Sequence, residues 1–285
     1  MASEAIIGVD LGGTKVGIGR VEKGRIVQHI SATVSAAGSE QQVIKELIKA
    51  MEQVFQPDVA GIGVGVPSVV DVEKGVVYDV QNIPSWKEVP LKQILEKRFG
   101  RPVYVNNDAN CFAVGEKHFG QGKKYRHLVG LILGTGLGAG LILNGRLYSG
   151  PNCGAGEFGM IPYKDSILEN YCSGQYFTRT CGVRGEEVHA EAERGDREAH
   201  EIFERFGAFL GDAMIIIMLA VDPEAIIFGG SVSRSFPFFE KTMRERMKVF
   251  PYHKILERIV IDVSRQPQIA VLGAAALYYD ARISV

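Results

Sequence analysis

Short apolar runs separated by glycine-bearing turns open the chain. Ala5–Asp10, Val16–Val21 and Arg25–Ala32 each have the length of a strand, and Gly12-Gly13 and Lys23-Gly24 fall where the chain must reverse, which predicts an antiparallel meander. The period then changes. Between Glu40 and Phe55 the apolar residues Val43, Leu47, Met51 and Val54-Phe55 recur at helical spacing behind Ser39, a suitable N-cap. Ala60–Val66 reads as a buried strand, Leu91–Phe99 as a helix, Val103–Val105 as a strand and Ala109–His118 as a helix, so the first half runs β-β-β-α-β-α-β-α.

The same outline restarts at His127. Leu128–Leu133 leads through Gly134–Gly138 into Ala139–Leu143, and Asn144-Gly145 turns the chain back into Arg146–Tyr148. An irregular segment reaches Ile167. Helical patterns follow at Ser173–Thr180, Glu186–Glu193 and Glu198–Leu219, then a strand at Ala225–Phe228, a helix at Phe238–Lys248, a strand at Ile259–Asp262 and a last helix at Ile269–Tyr279. Two half-chains sharing one outline predict an α/β protein of two lobes with a duplicated core. The hinge falls at Gly120-Gln121-Gly122, just before the meander restarts. This gives an N-terminal lobe over residues 1–118, completed by the final helix in 269–285, and a C-terminal lobe over 119–268.

Composition narrows the function classes. With 46% hydrophobic and 23% charged residues in 285, the chain has the balance of a soluble globular protein. Lys+Arg at 32 against Asp+Glu at 33 leaves a net charge of −1, so no global positive field is available to hold nucleic acid or an anionic membrane. Four cysteines without a CxxC pair make neither a disulfide framework nor a recognisable zinc site, which fits a reducing cytoplasm. The start, MASEAIIGVDLGG, lacks a secretory signal, and the most apolar later run, Ala213–Val221, is far short of the ~20 residues needed to span a bilayer. Glycine is in excess, at 34 residues without a collagen-like period, so many backbone positions must turn tightly or approach something closely.

Two of the glycine turns carry candidate chemistry. In Asp10-Leu-Gly12-Gly13-Thr14-Lys15 an acid ends an apolar strand, the glycines let backbone N–H groups converge on an anion, and Thr14 and Lys15 add a hydroxyl and an ammonium. Asp10 suits a divalent cation, bound directly or through water. The plain alternative is a hairpin with a capping Asp. The second run, Leu133-Gly134-Thr135-Gly136-Leu-Gly138-Ala-Gly140, follows another apolar strand at the corresponding point of the second half. Hairpin economy does not ask for two such turns, whereas two jaws closing on a polyphosphate do. A Walker A loop is absent, and Gly154-Ala-Gly156-Glu-Phe-Gly159 does not join a strand to a helix as a dinucleotide fingerprint must. A third pair, Gly229-Gly230 after Ile226-Ile-Phe, either admits a flat nucleobase or ribose or is an ordinary approach to a helix.

Asp108, in Asn106-Asn107-Asp108-Ala-Asn110, ends a strand and starts a helix. A cap is the usual role of such an Asp, but four amide and acid side chains exceed what a cap needs, and a carboxylate there can take the proton from an attacking hydroxyl. Glu157 and Glu169 lie in the irregular middle segment, where acids are usually just solvated. With Asn82 and Asn107 they supply the acceptors and amides that a polyhydroxylated sugar demands. The six histidines fall outside these motifs and read as surface or packing residues.

Taken in order, these segments resemble the ROK family of sugar kinases and repressors, within the actin-like ATPase superfamily. The resemblance runs over nearly the whole chain: Asp10–Lys15 and Leu133–Gly140 as phosphate motifs, GIGVGVPSVVD at Gly61–Asp71, Asn107–Asn110 as the catalytic segment, Gly154–Gly159 and LENYCSG at Leu168–Gly174 as sugar loops, and Pro223–Ser231 as the adenosine motif. It implies two RNase H-like lobes with a duplicated βββαβα core, ATP and Mg²⁺ as donor and metal, Asp108 as general base, and Asn107, Glu157 and Glu169 as sugar ligands. A homodimer is implied as well. Two positions depart from the pattern. Met160 stands where the family commonly has His, and no cysteines lie between it and the LENYCSG segment, where the family has a zinc motif, so no zinc is expected. Ser68, where glycine is frequent, is a milder departure.

The leading expectation is therefore an ATP-dependent hexose kinase, glucokinase-like first. The sequence leaves glucose, fructose, mannose, an N-acetylated hexosamine and allose as acceptors, and polyphosphate beside ATP as donor. A sugar-responsive transcription regulator is the alternative, disfavoured because the first phosphate motif begins at Asp10 and leaves no room for a DNA-binding module before it. A non-catalytic sugar binder is disfavoured by the intact Asp10, Thr14, Asp108 and Gly134–Gly138.

Overall fold

A computed structural model describes residues 4–80 and 82–283; the ends of the expected lobe spans, 1–3 and 284–285, lie outside the described residues. The first half contains β1 (Ala5–Leu11), β2 (Lys15–Glu22), β3 (Arg25–Thr33), α1 (Glu40–Met51), β4 (Val59–Val66), β5 (Val69–Asp71), β6 (Val76–Tyr78), β7 (Glu88–Val89), α2 (Leu91–Phe99), β8 (Val103–Asn107) and α3 (Asp108–His118). The second contains β9 (Leu128–Leu133), β10 (Leu137–Leu143), β11 (Arg146–Leu147), β12 (Pro162–Tyr163), β13 (Ser166–Ile167), α4 (Leu168–Cys172), α5 (Gly185–Glu193), α6 (Arg197–Val221), β14 (Ala225–Gly229), α7 (Phe236–Met247), α8 (His253–Leu256), β15 (Val260–Val263) and α9 (Ile269–Asp280).

The duplication is visible in strand order. One five-stranded sheet runs β3-β2-β1-β4-β8 and the other β11-β10-β9-β14-β15, so each places its own strands in the order third, second, first, fourth, fifth. In each, the meander is antiparallel on one side and the later strands are parallel on the other. This is the two-lobed actin-like ATPase fold. Strands β1, β4 and β14 are buried on both faces and read as continuous apolar runs, as parallel strands under helices must. The edge strand β3 alternates between exposed and half-buried residues.

Two compact units emerge. One comprises the chain up to Lys124, Gly140–Ala155 and the chain from Arg265; the other comprises Tyr125–Ala139 and Gly156–Ser264. In the first unit α1 buries Val43, Ile44, Leu47, Ala50 and Met51 behind the Ser39 cap, whose hydroxyl accepts from Gln42 N at 3.3 Å. Helix α9 is buried from Val271 to Tyr278, and it sits so close to β4 that a Cβ on Gly63 would collide with the carbonyl oxygen of Ala274. In the second unit α6 turns its stripe of Phe203, Phe206, Leu210 and Met214 inward, with Phe239 of α7 edge-on to Phe206.

The structure departs from the periodic reading in one stretch. The helix expected over Ser173–Thr180 is only partly formed: Ser173, just after α4, is extended, and the chain then turns helically into a π turn over Tyr176–Thr180. The Ser173 hydroxyl bonds the carbonyls of Glu169 and Thr135, and the second bond draws the chain out of helical geometry toward a loop 38 residues away. The three-stranded sheet β5-β6-β7 and the β12-β13 hairpin have strands of only two or three residues, too short for any period to reveal. No helix among the described residues is long and apolar enough to cross a membrane.

Candidate active site

In the first unit, three parallel strands bring their carboxyl ends level. Asp10 of β1 pairs with Gly65 of β4, and Gly65 with Asn106 of β8, so Asp10 and the Asn106–Asp108 segment share one sheet edge, where open α/β sheets bind ligands. Asp108 is the first residue of α3. The capping role expected of an isolated Asp belongs to Asn107, whose side chain accepts from Ala109 N at 2.9 Å. Asp108 Oδ1 accepts from the same N–H at 2.8 Å. Burial, opposed by that bond and reinforced by the charge of Asp10, pushes the Asp108 carboxyl up to about 6. Burial also raises Asp10, whose carboxylate has no hydrogen bond or ion pair to another described residue.

Asn106 explains why this segment is so rich in amides. Its Oδ1 accepts from Asn107 N at 2.8 Å, from Asn110 Nδ2 at 2.9 Å and from Cys153 Sγ at 3.4 Å, while its Nδ2 donates to Ser149 Oγ at 3.2 Å. Asn106 and Asn110 are buried, so each bond is formed away from water and fixes the turn that presents Asp108. Asn107 Nδ2 donates to Ser68 O at 3.2 Å. The β1–β2 turn is held more lightly. Gly12 N donates to Lys15 O at 2.9 Å, Thr14 and Lys15 are exposed, and a Cβ on Gly13 would stand 2.6 Å from Cβ of Asn82. Asp10, Gly12, Gly13, Thr14, Lys15, Asn82, Asn107 and Asp108 thus all belong to the first unit.

The second unit holds the remaining expected residues. Gly134 O accepts from Gly174 N at 2.7 Å, Thr135 O from Ser173 Oγ at 3.1 Å, and Gly134 N donates to Gly136 O at 3.0 Å. Glu169 is tied into the same turn: its carboxylate accepts from Leu137 N at 3.0 Å and from Gln175 Nε2 at 2.8 Å, and a Cβ on Gly136 would stand 2.5 Å from it. Gly230, at φ +84°, lies against the turn so closely that a Cβ there would strike the carbonyl of Leu133. Glu157 lies exposed at the start of a short 3₁₀ turn, Phe158–Met160. Beside Gly134 and Thr135 opens a cavity of about 500 Å³, also walled by Phe177, Arg184, His189 and Arg234.

A match to the ROK family model extends over residues 6–281. The chain belongs to the ROK family. Among curated ROK relatives it is 29% identical to the glucokinase of Thermotoga maritima, over 95% of this chain and 96% of that protein, and 31% identical to the N-acetyl-D-glucosamine kinase of Salmonella paratyphi A, over 92% of each. Its fold matches that of a ROK family glucokinase from Streptomyces griseus, solved in complex with glucose and AMPPNP, with a TM-score of 0.80 and 27% identity over 96% of this chain and 98% of that one.

Some residues around these turns were not legible in the sequence. Ser173 and Gln175, which brace the second glycine turn, lie in what reads as an ordinary helix. His189, read as a surface or packing residue, lines the cavity and bonds Ser235 Oγ through Nδ1 at 2.9 Å. Met160 is 52% exposed, so its thioether fills no core position. Among the described residues no group of three or more His, Cys, Asp or Glu side chains is placed to hold a metal ion. Mg²⁺ does not require one, since it keeps several waters and binds through one or two carboxylates together with substrate phosphates. Asp10, desolvated and without a compensating cation among the described residues, fits that role.

Proposed function

We propose that this protein is an ATP-dependent hexose kinase that transfers the γ-phosphoryl group to a sugar hydroxyl, with glucose as the first acceptor to test. The observation that carries this reading is the desolvated carboxyl of Asp108 at the sheet edge beside Asp10. A carboxyl poised near 6 is ionised at neutral pH yet basic enough to take a proton from an attacking alcohol. The names of the curated relatives, a glucokinase and an N-acetylglucosamine kinase, agree with a hexose acceptor.

In this reading Asp108 accepts the hydroxyl proton as the oxygen attacks the γ-phosphorus, while the buried amides of Asn106 and Asn110 keep its turn from tilting. Asn82, Asn107, Glu157 and Glu169 orient the sugar. Thr14, Lys15 and the backbone N–H of Gly13 receive phosphate oxygens in the first unit, where Gly12 uses its own N–H to close the turn; Thr135 and Gly136 do so in the second, where Gly134 closes the turn in the same way, with Gly229 and Gly230 beside the nucleoside. Mg²⁺, held by Asp10 directly or through water, would neutralise charge on the transferred phosphoryl group. The cavity beside Gly134 favours a nucleoside triphosphate over bare polyphosphate, because a polyphosphate chain has no base to fill it. The protein works as a cytoplasmic homodimer; light scattering of the purified chain checks the dimer, and fractionation of the cell its place.

The test is ADP release from ATP and Mg²⁺ across glucose, N-acetylglucosamine, mannose, fructose and allose, with polyphosphate as donor in a parallel arm. Release with one hexose supports the kinase. No release with any hexose overturns it, and turnover with polyphosphate alone overturns the choice of donor.

A further inference from the structure

The β12–β13 hairpin lies between the two glutamates assigned to the sugar, and its base ties their flanks together. The 3₁₀ turn that follows Glu157 leads into Ile161, whose carbonyl accepts from Leu168 N at 2.9 Å, and Glu169 is the next residue. The flanks touch again at Gly159, where an added Cβ would lie 3.5 Å from Cβ of Glu169. Whatever holds the hairpin therefore sets where both glutamates begin.

What holds it is a staple of unusual density for a two-residue turn. Tyr163, Tyr171 and Phe209 stand mutually edge-on, with centroids 5.2 Å (Tyr163–Tyr171), 5.1 Å (Tyr171–Phe209) and 6.4 Å (Tyr163–Phe209) apart. The ammonium of Lys164 is 4.1 Å from the Phe209 centroid and 5.5 and 5.6 Å from those of Tyr171 and Tyr163. Below it, Tyr163 Oη donates to Asp212 Oδ2 at 2.5 Å, and Asp212 Oδ1 accepts from Arg246 Nε at 2.5 Å. Burial first, then the bond to Asp212, keeps the Tyr163 hydroxyl protonated and donating. Tyr171 Oη closes the tip by donating to Asp165, and Asn170 Nδ2 reaches Ser166 Oγ at 2.5 Å. Lys164 adopts φ +53°, a left-handed conformation unfavourable for a non-glycine residue, so the turn is retained against a local backbone cost.

We infer that Lys164, through its seat on Phe209, Tyr171 and Tyr163, is a positioning residue that clips the hairpin to α4 and α6 and thereby holds Glu157 and Glu169 at the separation the sugar needs. This rests on the kinase reading, in which those glutamates bind the acceptor. Loosening the clip moves the sugar ligands relative to each other. Glu169 stays tied to the second glycine turn through Leu137 N and Gln175 Nε2, so the displacement falls on Glu157 and changes its distance from Glu169, while none of the staple residues lines the cavity beside Gly134 or belongs to the Asp108 segment.

Lys164→Met removes the cation with little change in length, and Lys164→Arg restores a cation at the same backbone conformation. We expect Lys164→Met to raise KM for the hexose about five-fold with kcat and KM for ATP within about two-fold, and Lys164→Arg to return the hexose KM to within about two-fold of wild type. An unchanged hexose KM in Lys164→Met, an equal rise in KM for ATP, or an Arg variant as impaired as the Met variant overturns the inference. A wild-type chain that phosphorylates no hexose overturns the kinase reading and takes this inference with it. Turnover by wild type with an insensitive Lys164→Met overturns the inference alone.

Discussion

The two glycine turns occupy the same position after the first strand of their sheets, yet they are built differently. Gly134–Gly136 is braced from outside by Ser173, Gly174, Glu169 and the closely packed Gly230. Gly12–Thr14 has the bond from Gly12 N to Lys15 O across its own hairpin, the Thr14 carbonyl accepting from Val34 N, Asn82 against Gly13, and exposed Thr14 and Lys15 side chains. One turn is held by several contacts from outside its own hairpin; the other leaves the Thr14 and Lys15 side chains open to solvent. The carboxylates follow the same division. In the second unit Glu169 is engaged by two donors, whereas in the first Asp10 has no partner among the described residues and Asp108 has one backbone N–H. In the kinase proposed above, the second unit supplies the pre-braced turn and the first the carboxylates left open for chemistry.

Removing divalent cations strikes the first unit hardest. Turnover is expected to vanish in EDTA and to return on addition of Mg²⁺ alone, since Asp10 is the cation site this account requires; recovery that needs Zn²⁺ would break the division. Asp108→Asn comes next, with kcat lower by about 10²–10⁴-fold, as measured by steady-state sugar phosphate formation. Gly230→Ala sharpens the contrast from the other side. It places a Cβ against the Leu133 carbonyl at a positive φ, so thermal unfolding should reveal a loss of about 2–4 kcal/mol, accompanied by weaker nucleotide binding.

The smallest effect is a pH effect. With Asp108 near 6, kcat/KM should rise between pH 5 and 7 and level off above, because only the ionised carboxylate accepts a proton. Stability runs the other way. A carboxyl whose pKa is raised on folding contributes stability below its unfolded value, about 3.9, and that contribution is lost as pH rises through about 6. Asp108→Asn should therefore gain in Tm over wild type progressively from about pH 4 to 6 and hold the gain above. A difference independent of pH would mean that Asp108 is not the desolvated group described here.

Much of this division could be read from local sequence. The meanders, the paired glycine turns and the amide-rich run around Asp108 announce themselves within a few residues, because strand period, turn chemistry and helix starts are local properties. The bracing could not be read in the same way. Ser173 looks helical until its hydroxyl is seen reaching Thr135, and the bond from Leu137 N to Glu169 joins residues 32 apart in the chain. His189 and Arg234 become neighbours of Gly134 only through folding of the second unit. The Pro162–Ile167 hairpin left no periodic trace, since its strength comes from Tyr163 and Lys164 packing on Tyr171 of α4 and Phe209 of α6 rather than from an alternation along its strands.

The division of labour is tested most directly by calorimetric titration of AMPPNP with Mg²⁺ into wild type and Asp108→Asn. The account predicts that the variant binds the nucleotide within about two-fold of wild type, while its sugar phosphate formation is lower by at least about 10²-fold. Nucleotide affinity lost together with turnover, or turnover kept without the carboxylate, would contradict it.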